Sequence, residues 1–138
     1  MKIHTTNYFD TFIAVAEDSK AVSGTVPPIK PSGLSVANLQ FELLFKHPYQ
    51  YTSDDLLFQV YATRNDLPTS ELEPAKAAFF AKGQACMRAS PLCKTYGWGI
   101  HFNEEGKMAL YGNDTDAYKE FKNDELLKQV KAMRSKRI

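Results

Sequence analysis

Residues Tyr8–Ala16, YFDTFIAVA, constrain the fold of this chain more than any other segment. They are rich in aromatic and β-branched residues, and both alternating faces are apolar. Phe9, Ile13 and Val15 lie on one face, and Tyr8, Phe12 and Ala14 on the other. A half-buried strand shows one apolar face; two describe a strand buried on both sides, central in its sheet. Glu17–Gly33 follows, with Pro27, Pro28, Pro31, Gly24 and Gly33. Proline fixes φ and removes a donor, so this segment reads as a long loop. Loops of this length are uncommon in compact domains and often functional. The loop is expected to be ordered and to cover the Tyr96–His101 region, with Val22, Val26 and Ile29 packing down. The plainer reading is a mobile surface connection.

Ser35 can N-cap a helix running to about His47, where Pro48 ends it. Val36, Leu39 and Leu43 would form its inner stripe. Thr52 with Asp55 gives a capping-box start to a second helix carrying Leu56, Leu57, Val60 and Tyr61. A strand over Leu57–Ala62 competes with that reading. A third helix spans about Ser70–Lys82, with Pro74 early in it and Gly83 as the residue past its cap. Gly99–Phe102 and Lys107–Tyr111 alternate on either side of Asn103-Glu104-Glu105-Gly106, which predicts a β-hairpin. Asp114 or Thr115 opens a short helix with Tyr118 and Phe121. The spacing of Leu126, Val130 and Met133 predicts a last helix over Asp124–Arg134, acidic at its start and basic at its end.

A chain of 138 residues suits a single domain that buries its core without disulfides or a structural metal. The expected fold is α+β: a small, mostly antiparallel sheet of the N-terminal strand and the hairpin, packed with several helices. Seventeen basic and sixteen acidic residues leave a net +1, which argues against bulk nucleic-acid or membrane binding. The N-terminus shows no secretory signal, and the apolar runs are far short of a membrane span. Two cysteines without an export signal point to a cytoplasmic protein with reduced thiols. The oligomeric state is not legible.

The stretch Gly83–Gly112 holds both cysteines, the only tryptophan, one of three histidines and five of the seven glycines. Within it, Arg88, Ser90, Tyr96, Trp98 and His101 bring a planar cation, a hydroxyl, two aromatics and a titratable ring into fourteen residues. That mixture suits a non-catalytic binding pocket for a small anionic or aromatic ligand. Structural readings stand beside it: Arg88 paired with Asp54 or Asp55, and Trp98 in the core at a bend between Gly97 and Gly99. An enzymatic alternative makes Cys86 a nucleophile and His101 its base, against the plain reading of Cys86 as a small buried hydrophobe. Cys86 and Cys93 do not form a C-x-x-C pair, and His4, His47 and His101 come from distant segments. No metal site and no cofactor are therefore expected, and the glycine spacing is not that of a phosphate cradle. A third class is nucleic-acid or protein interaction through the basic C-terminal helix, with Lys128, Lys131, Arg134, Lys136 and Arg137. The ordinary reading of such a run is a solvated face.

Five segments together carry a family resemblance. They are Ala37-Asn38-Leu39-Gln40-Phe41-Glu42-Leu43-Leu44, Tyr51-Thr52-Ser53-Asp54-Asp55, Arg88-Ala89-Ser90-Pro91-Leu92, Tyr96-Gly97-Trp98-Gly99-Ile100-His101, and the run from Lys128 to Arg137. The chain resembles a family of short bacterial proteins known only as a domain of unknown function. The resemblance covers nearly the whole chain, from His4-Thr5-Thr6-Asn7-Tyr8 onward. It implies a bacterial single-domain protein and transfers no activity, substrate, cofactor or catalytic residue. Cys93 departs from that pattern, which weakens a Cys86–Cys93 redox pair.

Overall fold

The computed structural model describes residues 4–135. Its centre is a four-stranded sheet of β1 (Thr11–Ala14), β2 (Trp98–Phe102), β3 (Met108–Gly112) and β4 (Lys128–Lys131), in the order β3-β2-β1-β4. β1 and β3 each pair antiparallel with β2, and β4 runs parallel to β1. Phe12 and Ile13 are both 0% exposed, so β1 is central and buried on both faces, as its two-sided apolar pattern requires. The strand is shorter than Tyr8–Ala16, because Asp10 takes a left-handed φ of 46° just before it.

The expected last helix is replaced by β4. Lys128 N donates to Asp10 O and Ala132 N to Ala14 O. A central strand needs hydrogen-bonding neighbours on both edges, and the hairpin supplies only one. The helical stripe fails at its ends: Leu126 is 91% exposed and Met133 49%. Val130 and Ala132 instead alternate into the core. The fold class is α+β, with a mixed, mostly antiparallel sheet.

Successive strand residues point to opposite faces. One face, carrying Ile13, Ile100, Phe102 and Met108, packs against α1 (Val36–Lys46), α2 (Ser53–Arg64) and the short α4 (Pro91–Lys94). Capping boxes at Ser35 with Asn38 and at Thr52 with Asp55 start α1 and α2, so residues 53–64 are helix rather than strand. α3 (Leu72–Ala81) lies against α2 through Phe58, Ala62 and Phe80. It ends with Lys82 extended, and Gly83 has no left-handed φ, so no glycine cap forms. The other face, carrying Phe12 and Ala14, is covered by α5 (Asp116–Lys122) through Tyr118 and Phe121. Thr115 caps α5.

Two connections shape the edges. The segment after α1 lies along β3: Tyr49 N donates to Met108 O, and Met108 N to Tyr51 O. This covers an edge otherwise open to pairing. The Glu17–Gly33 loop does contact the Tyr96–His101 region. Thr25 N donates to Tyr96 O, Trp98 Nε1 to Thr25 O, and Asn38 Nδ2 to Pro27 O. The loop is not seated by the apolar side chains expected: Val22, Val26 and Ile29 are 86%, 68% and 71% exposed. Hydrogen bonds to its backbone, the fully buried Pro27 and close glycine contacts hold it instead. A Cβ on Gly24 would press into the Trp98 ring, and one on Gly97, at φ +80°, would overlap Ser23 O. Among the described residues, no helix is long and apolar enough to cross a membrane.

Candidate functional site

The five pocket residues read from the sequence do not form one pocket. Trp98 is 9% exposed, packed against Phe41 and Phe45 and roofed by the loop, so it is a core residue. Tyr96 packs against the same core. Arg88 Nε donates to Lys131 O, and Met133 N donates to Arg88 O. Arg88 therefore braces the outer edge of β4 and pairs with neither Asp54 nor Asp55. His101 lies on the α5 face, beside Phe12 in the sheet and stacked on Phe121 at 4.2 Å. Cys86 lies on the α1–α2 face, so the Cys86–His101 pair of the enzymatic alternative does not form. The basic C-terminal helix is absent as well. Lys131 and Arg134 converge on Glu17 at 2.6 and 2.5 Å and hold its carboxyl down at about 2. Lys136 and Arg137 lie outside the described residues.

Cys86 and Ser90 do line a common cleft. It has a volume of about 570 Å³ and opens between α1, α2 and residues 84–91. Leu57, Val60, Tyr61 and Phe79 give it apolar and aromatic walls; the Tyr61 and Phe79 rings lie 4.9 Å apart. Gln84 Nε2 donates to Phe79 O, which ties the 84–91 segment to the end of α3. Arg64 is the one charged side chain in the lining, exposed and without an ion pair among the described residues.

The most informative group in the cleft is Gln40, which sequence reading passed over. It sits on the buried side of α1 with Ala37 and Leu44, deeper than the Val36–Leu39–Leu43 stripe expected there, and is 3% exposed. Its Oε1 accepts from the Ser90 hydroxyl at 2.6 Å. Ser90 Oγ also accepts from Leu92 N as the cap of α4, so this hydroxyl is held rather than free to react. Gln40 Nε2 has no hydrogen-bond partner among the described residues, and it is not sealed in, since Gln40 lines the cleft. An amide donor open to the cleft can exchange water for a ligand acceptor, a hydrogen bond worth about 0.5–1.5 kcal/mol net.

The two cysteines differ. Cys93 is 0% exposed, donates to Met87 O at 3.2 Å, and burial pushes its thiol up to about 12. Cys86 is half-buried at the cleft and unpaired in a disulfide. The Tyr8 hydroxyl donates to its Sγ at 3.4 Å; burial, then this bond, pushes Tyr8 up to about 12.

The α5 face carries a second polar group. Tyr49 Oη is hydrogen-bonded to His101 Nδ1 and to Tyr111 Oη, each at 2.8 Å. Burial lowers the His101 pKa, opposed by Asp10 and Asp124, so the ring is neutral near pH 7. Burial, with Tyr111 next, raises the Tyr49 pKa. Tyr49 holds a left-handed φ of 58° to reach this position. The imidazole is bonded to the Tyr49 hydroxyl and through it to Tyr111, and its other ring nitrogen has no partner among the described residues. Among the described residues, no three His, Cys, Asp or Glu side chains are placed to hold a metal ion.

Comparison with known proteins gives a family and no activity. The model of a family of unknown function (DUF6157) matches residues 3–138, so the chain belongs to that family. No curated protein and no solved structure matches it.

Proposed function

We propose that this member of a family of unknown function is a binding protein for a small anion with an aromatic or apolar body, held in the α1–α2 cleft. The observation that carries the reading is the Gln40 amide: buried, fixed by Ser90 through its oxygen, and open on its nitrogen to a concave apolar space. Small-molecule sites are typically clefts of roughly 300–1,000 Å³ with apolar walls and a few placed polar groups. The Tyr61 and Phe79 rings suit a planar ligand body. Arg64, with no carboxylate in the lining, favours a negative head group. Two unpaired cysteines fit a reducing compartment such as the cytoplasm. An enzyme using Cys86 with His101 as base draws no support from their placement on opposite faces of the sheet.

Thermal-shift measurements with aromatic carboxylates and their carboxamides test the proposal. The carboxylates should raise the unfolding temperature more than the matched carboxamides, and Arg64→Gln should remove the difference. Equal or absent stabilisation by both series would overturn it.

A further inference from the structure

Cys86 stands in the wall of that cleft and has no role in the binding reading. The residue is half-buried and free of any disulfide, and its sulfur accepts from the Tyr8 hydroxyl at 3.4 Å. The cleft is also lined by Gln40, a residue only 3% exposed, whose amide nitrogen has no partner among the described residues and can donate to an acceptor-bearing ligand. The charge in the lining is the Arg64 guanidinium. A thiol, an amide donor and a cation around one apolar space describe a site for a ligand with sulfur at one end and a carboxylate at the other.

We infer that Cys86 captures a small anionic disulfide in this cleft as a mixed disulfide. The inference rests on the binding reading and adds the chemistry of the ligand. The Cys86 thiol gives up its proton and its sulfur attacks one sulfur of the ligand, R–S–S–R. The ligand S–S bond breaks, a Cys86–S–S–R bond forms, and R–S⁻ leaves and takes up the proton. Cys86 and the bound half end in the protein–ligand disulfide, and the departing half is reduced to a thiol, so the ligand itself is the oxidant. Cys93 does not resolve the adduct. It is fully buried, its thiol is engaged with Met87 O and Ser90 O, and burial disfavours its thiolate. The adduct therefore persists until an external thiol reverses the exchange.

The test uses the full-length folded protein, 3,3′-dithiodipropionate as the anionic probe and cystamine as the cationic one, with intact-mass and peptide mapping over time. Rates are normalised to the same protein unfolded in urea, which removes the intrinsic reactivity of each probe. The expected result is one adduct, at Cys86, with Cys93 modified only after unfolding. The anionic probe should be favoured by about tenfold, the preference shrinking with added salt. No adduct in the folded state, an adduct at Cys93, or no preference for the anion would overturn the inference. Phenylacetate separates it from the reading beneath. If phenylacetate binds but neither probe reacts, covalent capture falls alone. If Cys86 reacts with the expected preference while phenylacetate neither binds nor slows it, capture stands and the non-covalent reading falls.

Discussion

The α1–α2 face and the α5 face of the sheet are built from alternate residues of the same strands, yet they solve burial differently. Under α1, α2 and α4 the layer is thick, and its buried polar side chains, Asn38, Gln40, Ser53 and Ser90 among them, are hydrogen-bonded one by one. There, Gln40 and Ser90 satisfy each other and leave one donor open to a cleft. Under α5 the cover is a single helix of seven residues, and the polar groups form a short chain Tyr111–Tyr49–His101. A partly satisfied amide that lines an apolar cleft can hold a ligand; a hydrogen-bonded chain stacked on the Phe121 ring of α5 can brace a thin cover. On the proposed function, recognition falls to the first face and structure to the second.

Truncation should expose the difference in thickness most strongly. Phe102→Ala, on the α1–α2 face, removes a ring that is 0% exposed and should cost about 3–5 kcal/mol by urea unfolding. Phe121→Ala, on the half-buried α5 side, should cost about 1–2 kcal/mol. Equal losses would break the comparison. The next largest effect lies at the loop that roofs the first face. Gly97→Ala adds a Cβ at φ +80° against Ser23 O, and a loss of about 2–3 kcal/mol is expected. Iodide quenching of Trp98 should rise in the same variant; unchanged quenching would show that the roof does not depend on that close approach.

A smaller effect is confined to the α5 face. Burial holds the His101 pKa below its ordinary 6.5, so the unfolded chain binds the proton more readily. Its contribution is fully present above pH 6.5 and is lost as pH falls from there through the folded value. His101→Phe should flatten the stability profile in that window while leaving ligand binding in the cleft unchanged. A profile identical to that of the wild type would show that the network is not what the ring's burial implies.

Much of this was legible in the residues. The two-sided pattern of Phe12 and Ile13 gave β1 its central place, and Ser35, Thr52 and Asn103 marked two helix starts and the hairpin turn. The requirement of a second neighbour for β1 was equally available, but the 3.6-residue spacing of Leu126, Val130 and Met133 obscured it. Five basic side chains and a dipole-matched end made that helix plausible locally; pairing along β1 decided otherwise. The assembled pocket failed for a reason the sequence contains. Trp98 and His101 are three apart on one strand, an odd number, so they cannot face the same way. Gln40 was visible too, as a polar residue four positions from Val36 and four from Leu44 on a helix whose inner side is otherwise apolar. What no spacing could supply was its partner Ser90, fifty residues away, or the loop carbonyls of Pro27 and Thr25 that take up Asn38 and Trp98. Such long-range bonds depend on how connections cross the sheet, which local periodicity does not encode.

The proposal that the α1–α2 face carries recognition is tested most directly by mapping amide and side-chain NMR shifts during a phenylacetate titration. The account predicts saturable shifts for the Gln40 side-chain amide and for backbone amides of Leu57–Arg64 and Gln84–Ser90, with Tyr49, His101 and Tyr111 unmoved. Shifts centred on Tyr49, His101 and Tyr111, or none at the Gln40 amide, would contradict it.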